Sequence, residues 1–404
     1  MEKIYEFDPY ESKFTATVQE VVEKGERIHV ALNTTAFYPG GGGQDCDIGT
    51  LDFGSSLAQV VNVYEKDGII WHECEMSGAL SSGQKLEGQI DWNRRYTMMK
   101  SHTAEHILFH CLRDLFKDLE MAKVQITGEG SSMFVQREGE LEMDKLMQAE
   151  RRANEIVARG FRVETKIYKK DAVPQGVRGK LDCIDSENIR VVHIGEFDSC
   201  ACAGLHVRNT GEIGILTISN IARDGTTQHK VSFLVGSDAQ EYLLQTKLAC
   251  ERACSVLQTT SDKLEKTAGN LRAEKEKLEA AVKSLNDRIL EEMKPAKIRN
   301  FSFYSKLLAG MDSKKLQEKA GELVKTGQTV VLLANKEGDK GFLILAKSPD
   351  TFIDIKEIAD RAFAKMNGKG GGQENFQSGA GDGTKLGEAF GLAEEELSEK
   401  LMSG

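Results

Sequence analysis

Apolar and polar positions alternate in short runs through the first 92 residues of the chain. The clearest runs are 15–22, 27–32 and 57–63, and glycine-rich or polar turns separate them. A period of two is typical of β-strands that bury one face. Several short strands in succession predict a small β-barrel, and we place this first domain at residues 1–92.

The period changes to that of a helix after Asp91. An apolar stripe marks this helix at Met98, Met99, Ile107, Leu108, Leu112 and Phe116. Further strands are predicted within 119–136 and at 162–168, 190–195, 212–218 and 230–236, with a charged amphipathic helix over 141–159. Mixed helices and strands that share one sheet predict an α+β domain, which we place at residues 93–237.

Leucines recur every seven residues in the next stretch, at Leu257, Leu264, Leu271, Leu278 and Leu285. The partner positions are Ser261, Ala268, Lys275, Val282 and Ile289. This heptad pattern predicts a coiled coil with a weak middle, placed at residues 238–295. An antiparallel hairpin within the chain and a dimer are both compatible with it.

The last domain is predicted at residues 296–404. A helix over 313–326 precedes apolar strands at 329–334 and 341–346, and a second helix over 354–366 leads to a glycine-rich loop at 368–373. Helices that alternate with apolar strands indicate a small α/β module. The loop is no complete phosphate-binding loop, because no Gly-Lys-Ser/Thr follows a strand at the required spacing.

Composition narrows the class of protein. The chain has 404 residues, of which 40% are hydrophobic and 29% charged, as in ordinary globular proteins. Its net charge of −10 argues against a broadly basic surface that coats nucleic acid, but it allows a local basic patch. No apolar run approaches the roughly 18 residues of a membrane helix, and the acidic start is no signal peptide. We expect a cytoplasmic protein whose eight cysteines, Cys183 included, are reduced thiols.

Two pairs of residues with the same spacing are the candidate metal ligands. His102 and His106 stand four residues apart on the predicted helix, so their side chains lie on one face. Cys202 and His206 repeat this spacing about a hundred residues later. Three imidazoles and one thiolate form a ligand set that suits Zn²⁺. His110, one further turn along the same face, is a candidate of lower rank, either as a substitute ligand or as a residue that supports the ligands from behind.

The same histidine pair fits a competing motif. Residues 102–106 read His-Thr-Ala-Glu-His, the H-x-x-E-H pattern of one class of zinc peptidase, in which the motif glutamate is the general base. Those enzymes take a downstream glutamate as third ligand, whereas this chain supplies Cys202 and His206. We therefore expect Glu105 to be an exposed helix residue without a catalytic role.

Four consecutive glycines, Gly40 to Gly43, form a second candidate site. Glycine-rich backbone can approach a ligand closely and can present N–H groups to an oxyanion. A bare glycine run is usually a flexible hairpin. Here Thr35, Tyr38 and Gln44 flank the run with hydrogen-bonding groups, which favours a substrate loop.

Taken in order, these motifs resemble a known family. The order is Phe37-Tyr38, Gly42-Gly43-Gln44, Asp47 and Gly49, Asp91-Trp92, His102 and His106, Cys202 and His206, and Thr210-Gly211-Glu212-Ile213-Gly214. This order resembles the editing domain of alanyl-tRNA synthetase, and still more closely the stand-alone alanyl-tRNA editing proteins of the long AlaX type. The resemblance covers essentially the whole chain, since the coiled coil and a module similar to the DHHA1 domain match the long form.

The resemblance implies a zinc-dependent aminoacyl-tRNA hydrolase that acts on tRNA(Ala) mischarged with serine or glycine. A free-standing editor is expected rather than a ligase, with a possible homodimer through the coiled coil or the C-terminal domain, and no membrane. It implies that His102, His106, Cys202 and His206 bind zinc. It also places Thr35, Gly42, Gly43 and Gln44 around the aminoacyl group, with Thr35 distinguishing a serine hydroxyl from an alanine methyl.

The sequence departs from the family at two places. The second ligand pair reads Cys-Ala-Gly-Leu-His where Cys-Gly-Gly-Thr-His is common, and Gln373 stands where a basic residue is common. Four protein ligands would close the zinc shell, so we hypothesise that zinc mainly positions the substrate. The alternatives are a non-catalytic RNA-binding protein with a structural zinc and, further behind, a zinc peptidase.

Overall fold

The computed structural model describes residues 1–25, 27–54, 56–76, 80–179, 181 and 184–403. The chain divides into two compact units, Met1–Arg252 and Ala253–Gly404. Among the described residues, seven cysteines are present and none is joined in a disulfide, while Cys183 lies outside them. None of the helices described here is long and apolar enough to cross a membrane.

The first part of unit one is a closed β-barrel. Its elements are β1 (Glu2–Lys3), α1 (Ile4–Phe7), β2 (Lys13–Lys24), β3 (Arg27–Leu32), β4 (Thr34–Thr35), β5 (Gly49–Asp52), β6 (Leu57–Lys66), β7 (Ile69–Glu75) and β8 (Lys85–Ile90). The barrel closes in the order β2-β3-β7-β6-β5-β8, and β1 pairs with β4 beside it. Buried and exposed residues alternate strictly along β8, so the period-two pattern reflects one inward and one outward face. The predicted small barrel is confirmed.

Helices and two further sheets complete this unit. The elements are α2 (Trp92–Leu115), β9 (Glu120–Ile126), β10 (Ser131–Gln136), α3 (Met143–Arg159), β11 (Val163–Lys169), β12 (Asn188–Ile194), β13 (Asp198–Ala201), β14 (Leu216–Asp224), β15 (Gln228–Val235) and α4 (Gly236–Val256), which continues into unit two. The strands form one sheet of order β14-β15-β10-β9 and another of order β11-β12-β13. The α+β character is confirmed, but the single shared sheet is wrong.

Helix α2 is the central element of unit one. The carboxylate of Asp91 caps it by accepting a hydrogen bond from the backbone N–H of Arg94. Every residue from Ser101 to Phe109 is buried, so this segment is covered on all sides rather than along one stripe. Polar residues in this segment must therefore find partners inside the protein.

A buried ion pair fixes the start of α2 to the barrel. Arg95 and Asp47 are 0% and 1% exposed, and the guanidinium Nε donates to both carboxylate oxygens at 2.9 and 3.0 Å. Arg95 also donates to the carbonyls of Pro9 and Ala36, and Asp47 accepts from the backbone N–H of Tyr38 at 2.6 Å. The pair thus fixes both ends of the segment that contains the four glycines.

The second unit contains a long helix and a mixed sheet. Its elements are α5 (Leu264–Glu291), β16 (Ala296–Ile298), β17 (Phe301–Ala309), α6 (Ser313–Leu323), β18 (Thr329–Glu337), β19 (Lys340–Lys347), α7 (Ile355–Lys365), β20 (Lys369–Gln373), β21 (Phe376–Asp382) and α8 (Leu386–Ser403). The strand order is β16-β17-β18-β19-β21-β20, with β17 and β18 parallel. The glycine-rich stretch predicted as a loop is strand β20, because its backbone pairs with β21. Gly370 must be glycine, because a Cβ there would lie 2.3 Å from the Phe363 ring.

The heptad leucines fall mainly on α5. The first of them, Leu257, lies outside the helices, after the end of α4 at Val256. Later heptad positions are between 38% and 61% exposed, namely Leu271, Leu278, Val282, Leu285 and Ile289. The helix is therefore present, and its pairing as a coiled coil stays a prediction.

Replacing Asp47 by Asn should destabilise the protein strongly, because the Arg95 charge would then stay buried without a counter-charge. We expect a loss of about 3–5 kcal/mol in the free energy of unfolding, measured by urea denaturation. Asp45→Asn is the matched control, since Asp45 pairs with Arg94 at 3.4 Å and is 48% exposed. It should cost less than about 1 kcal/mol. Equal losses in the two variants would contradict the anchoring role of Asp47.

Candidate metal centre

The two predicted ligand pairs meet inside unit one. His102 and His106 come from α2, while Cys202 and His206 come from the segment that follows β13. One ligand atom from each of the four residues lies within 4.8 Å of all the others. The structure therefore brings together the complete ligand set that the sequence predicted.

The His102 ring is oriented by a residue of the glycine loop, defined here as residues 40–44. Its Nδ1 lies 2.8 Å from the amide oxygen Oε1 of Gln44, which also accepts from the backbone N–H of Leu205 at 3.0 Å. An amide oxygen can only accept, so Nδ1 of His102 carries the proton. Its Nε2 is then free as a ligand and lies 3.3 Å from Sγ of Cys202.

The His206 ring has the same orientation as that of His102, with Nδ1 hydrogen-bonded and Nε2 facing Cys202. Its Nδ1 lies 3.1 Å from Oγ1 of Thr103, whose hydroxyl donates to the carbonyl of Met99 at 3.0 Å. Because the Thr103 proton is used there, its oxygen accepts from Nδ1 of His206. The Nε2 of His206 lies 3.4 Å from Sγ of Cys202. Two imidazoles thus present unprotonated Nε2 atoms to one sulfur.

Burial keeps the imidazoles neutral, which is the form that binds metals. It lowers the pKa of His106 to about 4 and holds the pKa values of His102 and His206 well below the usual range. Burial also raises the pKa of the Cys202 thiol to about 11, against the backbone N–H of Gly204 and the charge of Arg190. The thiol must therefore lose its proton when a metal binds. Three neutral imidazoles and one thiol fit a zinc ion.

Two glycines are required by close approach at this centre. A Cβ on Gly204 would lie 2.1 Å from Cε1 of His102 and 3.0 Å from Oε1 of Gln44. Gly43 has a φ of +85°, and a Cβ there would lie 2.5 Å from the carbonyl oxygen of Val124. Both positions therefore exclude any other residue without displacing the metal ligands or the loop.

The glycine loop is a tight turn docked on β9. Gly41 and Gln44 exchange backbone hydrogen bonds of 2.9 and 3.0 Å, and the Gly43 carbonyl accepts from Ile126 at 2.7 Å. The hydroxyl of Tyr38 contacts the carbonyls of Gly41 and Ala203, at 3.0 and 3.4 Å. These contacts place the loop against the segment that carries Cys202 and His206. Gln44 lies beside the metal ligands, while its role in catalysis stays a prediction.

Thr35 is placed differently from the other predicted substrate residues. It is fully buried, and its hydroxyl lies 2.8 Å from Nε2 of His72. Because Nδ1 of His72 donates to the carbonyl of Val30, Nε2 accepts the Thr35 proton. The hydroxyl oxygen also accepts from the backbone N–H of Phe37. Thr35 therefore holds the strand that leads into the loop, and its role in selectivity stays a prediction.

Glu105 is not exposed, so that expectation was wrong. It is 4% exposed, and burial raises the pKa of its carboxyl to about 7, against the charge of Arg178. The error arose because α2 is covered on every side at this point. Oε2 of Glu105 lies 3.8 Å from Nε2 of His106. His110 stays outside the four-residue cluster and contacts Asp198 at 3.0 Å.

A cleft of about 900 Å³ opens beside the metal centre, with His206 on its wall. Other lining residues are the aromatic Tyr5, Phe7 and Tyr38, the basic Lys3, Arg190 and Arg208, and the loop residues Gly40 and Gly41. Arg190 also donates to the carbonyls of Cys202 and Gly204 at 2.8 and 2.6 Å. Sequence reasoning missed Lys3, Tyr5, Phe7, Arg190 and Arg208, because they come from distant segments and carry no local motif.

Family models match three parts of the chain and define its class. Residues 8–94 match tRNA synthetases class II (A), and residues 189–229 match the threonyl and alanyl tRNA synthetase second additional domain. Residues 300–399 match the DHHA1 domain. The second match contains Cys202 and His206, and the first contains the glycine loop. The chain thus combines domains that are typical of alanyl-tRNA synthetases and related proteins.

Individual relatives narrow this class. Over 99% of both chains, the protein is 27% identical to the alanyl-tRNA editing protein AlaX-L of Pyrococcus horikoshii. It is 28% identical to the alanine–tRNA ligase of Pyrococcus abyssi over 93% of this chain, and 30% identical to that of Natronomonas pharaonis over 99%. The chain spans only 41% and 44% of these ligases. The resemblance to long-type alanyl-tRNA editing proteins is therefore confirmed.

Removing the sulfur ligand should abolish tight zinc binding. We expect the purified protein to hold one zinc ion per chain by elemental analysis, and Cys202→Ala to bind zinc at least about 100-fold more weakly in chelator competition. Cys46→Ala is the matched control, because Cys46 is half-buried near the loop but lies outside the ligand cluster. Equal zinc content in the two variants would contradict the assignment.

Proposed function

We propose that this protein is a zinc-dependent aminoacyl-tRNA deacylase that hydrolyses the ester of tRNA(Ala) mischarged with serine or glycine. The observation that carries the proposal is the hydrogen bond between Gln44 and His102, which makes the glycine loop and the metal centre one site. A purely structural zinc would not require a loop of this kind. The similarity to AlaX-L along the whole chain supports the same substrate.

The cleft suits the end of an aminoacylated RNA. Its volume of about 900 Å³ lies within the range of sites that enclose small ligands, and His206 of the candidate metal centre lines one part of its wall. Its wall carries both signs of charge, with Lys3, Arg190 and Arg208 beside Glu6 and Glu65. Lys3 is paired with Glu65 and Arg208 with Asp8, so phosphates would compete with these carboxylates for the two cations. The 81% exposed ring of Phe7 offers a face for an unstacked base.

The chain's own groups would position the ester, and activation of the attacking water would fall to the glycine-loop N–H groups with Gln44 or to the ribose hydroxyl of the substrate itself. His102, His106, Cys202 and His206 would hold zinc, and with four protein ligands the ion would orient the amino group of the substrate only by expanding its shell to a fifth position. The two polar atoms of the Gln44 side chain differ in their contacts. Oε1 accepts from His102, while Nε2 is buried and has no hydrogen-bond partner among the described residues. Nε2 is the group that we assign to donate to the ester carbonyl, beside the backbone of Gly42 and Gly43. This assignment requires the loop to open toward the cleft, because Gly40 and Gly41 line the cleft whereas Gly42, Gly43 and Gln44 do not. Because four ligands fill the zinc shell, no water on the metal is required.

The deacylation assay separates the candidate functions. Ser-tRNA(Ala), Gly-tRNA(Ala) and Ala-tRNA(Ala) are incubated with the protein, and loss of the labelled ester is followed with and without chelator. We expect rapid loss of the seryl and glycyl esters, slow loss of the alanyl ester, and arrest after zinc removal. Binding without hydrolysis would favour a non-catalytic RNA-binding protein. Peptide cleavage without ester loss would favour the peptidase.

Thr35→Val tests selectivity. If the Thr35 hydroxyl helps to favour serine, the ratio of seryl to alanyl hydrolysis should fall by about tenfold, which corresponds to one lost hydrogen bond. The ratio of the two kcat/KM values is measured under identical zinc loading. His72→Phe is the companion variant, because it removes the partner of the buried hydroxyl and leaves Thr35 in place. If Thr35→Val leaves the seryl-to-alanyl ratio unchanged and lowers the thermal stability, Thr35 supports the loop and has no role in selectivity.

The proposal includes a cytoplasmic homodimer. The seven described cysteines form no disulfide with one another, which is compatible with a reducing compartment. Exposed heptad positions on α5 offer an apolar stripe that a second copy of the same helix would match.

A further inference from the structure

One ring nitrogen of the metal centre lacks the partner that its neighbours have. Nδ1 of His102 is bonded to Gln44, and Nδ1 of His206 to Thr103. Nδ1 of His106 is buried and has no hydrogen-bond partner in the described part of the chain. It lies 3.9 Å from Oδ2 of Asp198, about one ångström beyond a hydrogen bond. A buried donor of this kind is costly unless it finds an acceptor.

Asp198 is itself held firmly. It begins β13, four residues before Cys202, and its side chain is 2% exposed. Arg178 donates to its carboxylate from Nε at 2.7 Å and from Nη2 at 2.5 Å. Nδ1 of His110 lies 3.0 Å from its Oδ1. The carboxylate therefore has a fixed position, with Oδ2 directed toward His106.

We infer that Asp198 is the positioning residue for the metal ligand His106. In the loaded protein its Oδ2 accepts the Nδ1–H of His106 and directs Nε2 to the metal that His102, Cys202 and His206 share. A carboxylate behind a metal-bound imidazole fixes the ring and makes its other nitrogen a better ligand. The inference rests on the metal site of the proposed function, but not on the hydrolysis of any ester.

The reverse arrangement would use Glu105. Its Oε2 lies 3.8 Å from Nε2 of His106, so the ring could donate from Nε2 to Glu105 and bind the metal through Nδ1. The geometry favours Asp198, because His102 and His206 both direct Nε2 toward Cys202. Glu105 is consequently a matched control, a second buried carboxylate at nearly the same distance from the same ring.

Zinc affinity distinguishes the two carboxylates. Asp198→Asn and Glu105→Gln are compared with the unchanged protein by competition with a chromophoric chelator, after circular dichroism has shown that each variant is folded. We expect Asp198→Asn to weaken zinc binding 10–100-fold and Glu105→Gln to change it less than about threefold. Affinity within threefold for Asp198→Asn would overturn the inference. A lower melting temperature without weaker zinc binding would also overturn it, since it would show a purely structural role.

A second measurement does not require a variant to fold. In the zinc-loaded protein with ¹⁵N-labelled histidine, nuclear magnetic resonance reports which nitrogen of His106 carries the proton. We expect a protonated Nδ1 and a metal-bound Nε2. A protonated Nε2 would overturn the inference. Both readouts are independent of deacylation, so the proposed activity can fail while Asp198 keeps this role.

Discussion

The hydrogen bond between Gln44 and His102 joins the glycine loop of the barrel to helix α2 inside the candidate metal centre. It fixes the tautomer of His102, a candidate metal ligand on helix α2, through a residue of the barrel loop. The same amide oxygen accepts from Leu205, so a third segment is tied to the same atom. In a buried site each of these bonds is hard to replace, because water cannot substitute for a missing partner.

A buried and a partly buried ion pair support this arrangement. Arg95 and Asp47 fix the segment that leads into and out of the glycine loop, while Arg178 and Asp198 stand behind His106. Buried pairs of this kind contribute little net stability, but they impose one geometry because a displaced partner leaves a charge in the interior. The charged side chains therefore lie in the residues that support the centre, whereas the three imidazoles of the centre itself are neutral.

Local spacing explains what the sequence could predict. His102 and His106 lie on one helix face wherever the helix packs in the fold, because their spacing alone decides this. The period of two in β8 is likewise visible without knowledge of the neighbouring strands. Glu105 could not be placed in this way, because its burial depends on the sheets that cover α2. The bond from Thr35 to His72 also joins separate strands. The glycines of β20 read as a loop because they lack the side chains that mark strands, although their backbone pairs with β21.

The bond from Leu205 to Gln44 spans 161 positions of the chain, and this separation has a consequence for how the molecule forms. Contacts between distant positions require a large loop to close, which slows their formation relative to local structure. During synthesis the barrel leaves the ribosome long before Cys202 and His206 follow. The barrel and α2 can therefore fold while half of the ligand set is still absent. If the centre holds zinc as proposed, the metal can be bound only late in synthesis, and chains made without zinc would have a complete barrel and an empty centre.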